Sequence, residues 1–163
     1  LIGHLPKRGS ALAAEPASVG QLYIEALSEK GYLLDHALAV LQGLSSGAPL
    51  LLLSNGIASV QRRRIDRSGI GVYFQEILIS TEVGIAKPDP GIFALAIEKL
   101  HCRKEDILCV GDSPSSDIRG GHNAGIDTCW FAPRDSTYPA EEPRPLYRIS
   151  DLRQLLDFLS QRG

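Results

Sequence analysis

Gly111-Asp112-Ser113-Pro114-Ser115-Ser116-Asp117 follows directly on the apolar run Ile107-Leu108-Cys109-Val110, and this junction decides the fold. An unbroken apolar run of this length reads as a strand buried on both faces, as in parallel sheets covered by helices. Gly111 ends the strand, Asp112 falls at its carboxyl edge, and Asp117 lies near the start of the helical stretch beyond. Carboxylates so placed suit a hard divalent ion such as Mg²⁺, which keeps several waters and is shared with substrate phosphate. The same residues also fit a plain structural role, a strand terminator followed by an acid at the positive end of a helix.

Two further segments have the same form. Pro49-Leu50-Leu51-Leu52-Leu53-Ser54-Asn55-Gly56 is a continuous apolar strand ending in a hydroxyl, an amide and a glycine. Ser54 and Asn55 can donate to an oxyanion there, and Gly56 lets backbone N–H groups approach closely, although Ser-Asn-Gly is also ordinary turn chemistry. In Ile85-Ala86-Lys87-Pro88-Asp89-Pro90-Gly91-Ile92-Phe93, Asp89 is a good N-cap and Pro90 a good first helical residue. Lys87 therefore sits just before a helix start. It can neutralise a phosphate or a carboxylate cluster, or it is a solvated loop lysine.

In this order the segments resemble the haloacid dehalogenase superfamily of hydrolases. Ser54-Asn55 is similar to its second motif, Lys87 to its third, and Asp112 with Asp117 to its fourth, over roughly residues 34 to 132. The resemblance implies a Rossmann-like three-layer α/β/α core with a parallel sheet, a bound Mg²⁺ and phosphoryl transfer through an aspartyl intermediate. It also implies that Ser54, Asn55, Gly56 and Lys87 hold the phosphoryl group, with Ser54, Asn55 and Lys87 catalytic and Asp112 and Asp117 on the metal. Asn123-Ala124-Gly125-Ile126-Asp127-Thr128-Cys129-Trp130 and Pro145-Leu146-Tyr147-Arg148-Ile149 are similar to the pyrimidine 5′-nucleotidase branch.

One departure stands against these agreements. The superfamily opens with a strand ending in Asp-x-Asp, which supplies the nucleophile and a general acid/base, and nothing like it precedes Ser54. The acids before Ser54 are Glu15, Glu25, Glu29 and Asp35, none behind an apolar strand, and the chain begins at Leu1 without methionine. The expected organisation is a cap remnant and linker over 1–33, then an α/β core over 34–163 lacking its first strand. Alone, such a chain is expected to be inactive. The resemblance puts the missing strand between the Leu50 and Ile107 strands. With strands about 4.8 Å apart, its absence leaves a slot roughly 9.6 Å wide with two unpaired edges. Such a chain folds poorly, closes the slot, or takes a strand from another chain or a missing N-terminal segment.

The 163 residues, 44% hydrophobic and 22% charged, bound the rest: one domain with a core of useful size. A net charge of −2 gives no pull toward nucleic acid or acidic membranes, and no apolar run is long enough for a spanning helix. Cys102, Cys109 and Cys129 lack metal spacing, and two lie in apolar runs, so they read as reduced thiols of a cytoplasmic protein. The expected partner is a small phosphorylated metabolite. Arg62-Arg63-Arg64 reads as a solvated helix face, Trp130 as core, and the scattered histidines as no metal site.

Along the chain, Ala17 to Lys30 reads as a helix ended by Gly31, and Asp35 can cap a second helix carrying Leu38, Val40, Leu41 and Leu44. The pattern further predicts helices over Ile57 to Ser68, Pro90 to Leu100 and Ser115 to Ala124, with strands at Ile77 to Ile79, Thr128 to Phe131 and Tyr147 to Ile149. Ser150 is the expected cap of a final helix. Alternating strands and helices argue a parallel sheet covered on both faces, with ligands beyond the strands' carboxyl ends. Ser54, Lys87, Asp112 and Asp117 share that edge. Three functions fit: a Mg²⁺-dependent nucleoside 5′-monophosphate phosphatase, a 2-haloacid dehalogenase or phosphomutase, or a non-catalytic phosphate-binding remnant.

Overall fold

A computed structural model describes residues 33–160. The expected Ala17 to Lys30 helix and residues 1–32 of the expected cap unit lie outside the described residues. From Ala37 on, helix and strand alternate as the pattern predicts. The elements are α1 (Ala37–Ser45), β1 (Leu51–Ser54), α2 (Ala58–Ser68), β2 (Glu76–Ile79), α3 (Ser80–Val83), α4 (Pro90–Leu100), β3 (Leu108–Gly111), α5 (Arg119–Ala124), β4 (Asp127–Phe131), β5 (Tyr147–Ile149) and α6 (Gln154–Ser160).

Local chemistry explains most boundaries. Asp89 accepts a hydrogen bond from Gly91 N–H with Pro90 in the first turn, as expected of a capped start to α4. Gly69 and Gly125 end α2 and α5 with φ of 68° and 71°, a left-handed conformation glycine adopts without a Cβ penalty. Two expected caps are corrected. His36, at φ 64°, occupies the N-cap of α1 in place of Asp35 and makes no side-chain cap bond. At α6 the Gln154 side chain accepts from the Ser150 and Asp151 N–H groups, so the helix starts beyond Ser150. The single helix expected over Ser115 to Ala124 is a π-turn, Pro114–Ile118, running into α5.

All strand pairs among the described residues are parallel, but they form two sheets, β1-β2 and β3-β4-β5. β1 pairs with β2 alone, and β3 with β4 alone. Between β1 and β3 lies a cavity of about 390 Å³, walled by Leu51–Leu53 on one side and Leu108–Val110 on the other. This is where the family resemblance places a further strand.

Helices cover both faces of this break. On one face, α1 and α6 join the sheet through Val40, Leu155, Cys129 and Ile149, with Leu108 against them. On the other, Ile92 and Phe93 of α4 meet Ile126, Leu53 and Cys109. Leu108 and Cys109 thus face opposite layers, the alternation a strand imposes. Burial of these side chains contributes about 1.5–3 kcal/mol each. No helix among the described residues is long and apolar enough to cross a membrane.

Candidate active site at the strand ends

The carboxyl end of β1 and the turn that follows β3 meet at Lys87. Its ammonium donates to Leu53 O at 3.0 Å and to Asp117 Oδ1 at 2.6 Å, and the two charged side chains are 12% and 8% exposed. The other Asp117 oxygen accepts from Ser113 N–H at 3.0 Å. Asp117 can fold back over the strand because residue 111 is glycine; a Cβ there would collide with the Asp117 side chain. An ammonium has three donors, so these two bonds leave one for a ligand.

Asn55 holds this lysine from the side. Its amide nitrogen donates to Lys87 O and its amide oxygen accepts from Lys87 N–H, both at 2.9 Å. The side chain expected to contact phosphate is committed to the backbone beside the cis Lys87–Pro88 peptide. Gly56 is similarly engaged: its N–H donates to Ser80 Oγ at 3.1 Å and its carbonyl accepts from Thr81 Oγ1 at 2.9 Å. Ser54 Oγ, at the end of β1, has no hydrogen-bond partner among the described residues.

Asp112 is exposed beyond β3, and its carbonyl accepts from Trp130 Nε1 at 3.0 Å. The buried Trp130 is fixed in turn by Tyr138, edge-on at 4.8 Å, and by the Arg148 guanidinium at 4.7 Å. Arg119 grips the buried Glu142 through two hydrogen bonds, tying the helix behind Asp117 to the loop after β4. Cys109 lies beneath the pair, its thiol donating to Asp117 O; burial first, then the Asp117 charge, pushes its pKa up to about 12.

The donor set bears on a metal ion. Both Asp117 oxygens are engaged, and no group of three or more His, Cys, Asp or Glu among the described residues could hold an ion. Exposed Asp112 suits an ion that completes its shell with water and substrate phosphate, the usual habit of Mg²⁺. The residues thus fit a shared Mg²⁺ rather than one caged by protein alone.

Lys87 and Asp117 thus come together at 2.6 Å, while Ser54 closes β1 and Asp112 follows β3. The Ser80, Thr81 and Trp130 contacts escaped the sequence reading, since each joins segments 18 to 25 residues apart without a spacing signal.

Known proteins resemble this chain in sequence and fold. Residues 4–125 match the family model described as haloacid dehalogenase-like hydrolase. The chain is 34% identical over 158 residues to pyrimidine 5′-nucleotidase YjjG of Escherichia coli, covering 96% of this chain and 70% of that protein. The HAD-hydrolase YfnB of Bacillus subtilis, solved bound to magnesium, superposes with a TM-score of 0.83 at 33% identity, covering 90% of this chain and 64% of that one. A 2-haloacid dehalogenase from Pseudomonas syringae gives 0.78 at 26% identity, covering 90% and 61%.

Proposed function

The chain belongs to the haloacid dehalogenase-like hydrolases, and on that footing we propose that its strand-end site serves Mg²⁺-dependent hydrolysis of a phosphate monoester, foremost a nucleoside 5′-monophosphate. The observation that carries this reading is the Lys87 ammonium, nearly buried between β1 and β3 with one donor left for an anion. In this reading Ser54 Oγ and Lys87 hold the phosphoryl oxygens. Asp117 keeps the ammonium aimed, and Asn55 fixes the backbone that carries it. Asp112 is the carboxylate that would hold the ion, which when bound offsets charge on the phosphoryl oxygens. Lys87 contributes in the same sense, a preorganised electrostatic effect often worth several kcal/mol.

Similarity to the E. coli pyrimidine 5′-nucleotidase supports the substrate class. No Asp-x-Asp precedes Ser54 in these residues, and this reading accordingly expects the polypeptide by itself to bind phosphate without turnover. A cytoplasmic setting accords with its thiols, all three free in the structure.

The likeness to the P. syringae dehalogenase favours a second reading, in which Ser54 and Lys87 hold a carboxylate substrate and Asp112 has no cation to bind. Both readings are tested on the full chain with p-nitrophenyl phosphate, nucleoside monophosphates and 2-chloropropionate, each with and without Mg²⁺. The phosphatase reading expects Mg²⁺-dependent phosphate binding, and hydrolysis only where a nucleophile is supplied. Chloride release, or phosphate binding indifferent to Mg²⁺, overturns it.

A further inference from the structure

We propose that Thr81 is a positioning residue for the anion site: its hydroxyl sets the turn between β1 and α2 and, through Asn55, the place of Lys87. The inference rests on the anion-binding reading of the strand ends.

The Thr81 hydroxyl donates to Gly56 O and accepts from Ala58 N–H, both at 2.9 Å. A hydroxyl can do both at once, with one proton and two lone pairs. Ala58 opens α2, and the first N–H groups of a helix have no partner within it. The N-cap residue Ile57 makes no side-chain bond, so the cap comes from Thr81, 23 positions away. Ser80, buried beside it, accepts from Gly56 N–H at 3.1 Å. Two consecutive hydroxyls thus take both polar groups of the Gly56 backbone. Glu82 extends the seam, accepting from Arg62 of α2 at 2.9 and 2.6 Å.

The other end of the same seam is Asn55, whose side chain bonds the N–H and carbonyl of Lys87. Asn55 precedes Gly56 directly, so a shift of the Gly56 peptide reaches Lys87 through one residue and two hydrogen bonds. Displacement of a binding group by about 1 Å can cost up to about a hundredfold in function. Thr81 itself is exposed. Water can replace its hydroxyl at Gly56 O and Ala58 N–H, which keeps those groups hydrogen-bonded but no longer ties them to α3. Loss of the hydroxyl therefore acts on placement more than on folding.

The test compares Thr81→Val, which keeps the shape and loses the hydroxyl, with Thr81→Ser, which keeps the hydroxyl. Each full-length variant is followed by NMR hydrogen exchange at the Lys87 amide and the Asn55 side-chain amide, by urea titration, and by inorganic phosphate titration with Mg²⁺. In the valine variant, exchange at both groups is expected to quicken at least about fivefold and phosphate binding to weaken at least about fivefold. Its urea midpoint stays close to the parent's, and the serine variant returns exchange and binding to within about twofold. Parental exchange rates in the valine variant overturn the proposal, as does a serine variant that behaves like valine. A fall in urea midpoint large enough to account for the faster exchange makes the role of Thr81 structural and overturns it too. A parent chain that binds no phosphate fails the anion-site reading, while the exchange rates still decide whether Thr81 sets Lys87.

Discussion

Lys87 Nζ and Asp117 Oδ1 lie 2.6 Å apart with both side chains nearly buried, and through Leu53 O this pair links β1 to the turn beyond β3, strands that belong to two sheets without pairing between them among the described residues. Removing one partner of a buried pair leaves an uncompensated charge, which typically costs about 3–5 kcal/mol, whereas replacing both by apolar groups is often neutral. Lys87→Ala is therefore expected to destabilise the fold by about that amount in urea titrations, and the double variant Lys87→Met/Asp117→Leu to recover most of it. A single variant as stable as the parent would show that the pair is solvated.

Asn55→Ala removes two hydrogen bonds to the Lys87 backbone. The expected loss is about 1–3 kcal/mol of stability, together with at least about tenfold weaker phosphate binding. Calorimetry should place the binding loss in Lys87 positioning: Asn55→Asp, which keeps the acceptor for Lys87 N–H and loses the donor, falls between parent and alanine variant.

Burial raises the folded-state pKa of Cys109 to about 12 from a reference of 9.0, and that of Cys129 to about 11. Both thiols are held neutral in the folded state, so their contribution is fully present below pH 9 and is lost as pH rises from 9 toward 12. Thermal melts are expected to fall across that window, and Cys109→Ala to flatten the fall. At pH near 8, Ellman's reagent should leave both thiols unmodified until urea is added.

Trp130→Phe keeps the ring against Tyr138 and Arg148 but deletes the donor to Asp112 O. Stability should drop by about 1 kcal/mol, while Mg²⁺ affinity in the presence of phosphate drops several-fold as the Asp112 segment loosens. Titrating Mg²⁺ at fixed phosphate by calorimetry checks both; unchanged affinity would mean that Asp112 is positioned without the indole.

The strand ends were legible because β1 and β3 are short apolar runs cut off at Ser54 and Gly111, and some helix ends carry their own chemistry, as at Asp89 and Gly125. What could not be read were choices made by distant partners. Asn55 has free donors and an acceptor in the sequence, but Lys87 lies 32 residues away and takes them. Asp117 reads as a metal ligand by spacing from Asp112, yet one of its oxygens accepts from the buried Lys87 ammonium and the other from Ser113 N–H, partners that spacing does not reveal. Ser150 lost the capping role to Gln154 because a longer side chain reaches two amides at once.

Ser54, Lys87 and Asp112 are proposed to bind a phosphoryl group together with a divalent ion at the strand ends. Equilibrium binding of inorganic phosphate to the full chain, followed by ³¹P NMR with and without Mg²⁺, tests it most directly. Saturable binding that requires Mg²⁺, and that weakens at least about tenfold in Ser54→Ala and in Asp112→Asn, is the predicted result. Binding of equal strength in both variants, or none at millimolar phosphate with Mg²⁺ while circular dichroism reports a folded chain, would contradict it.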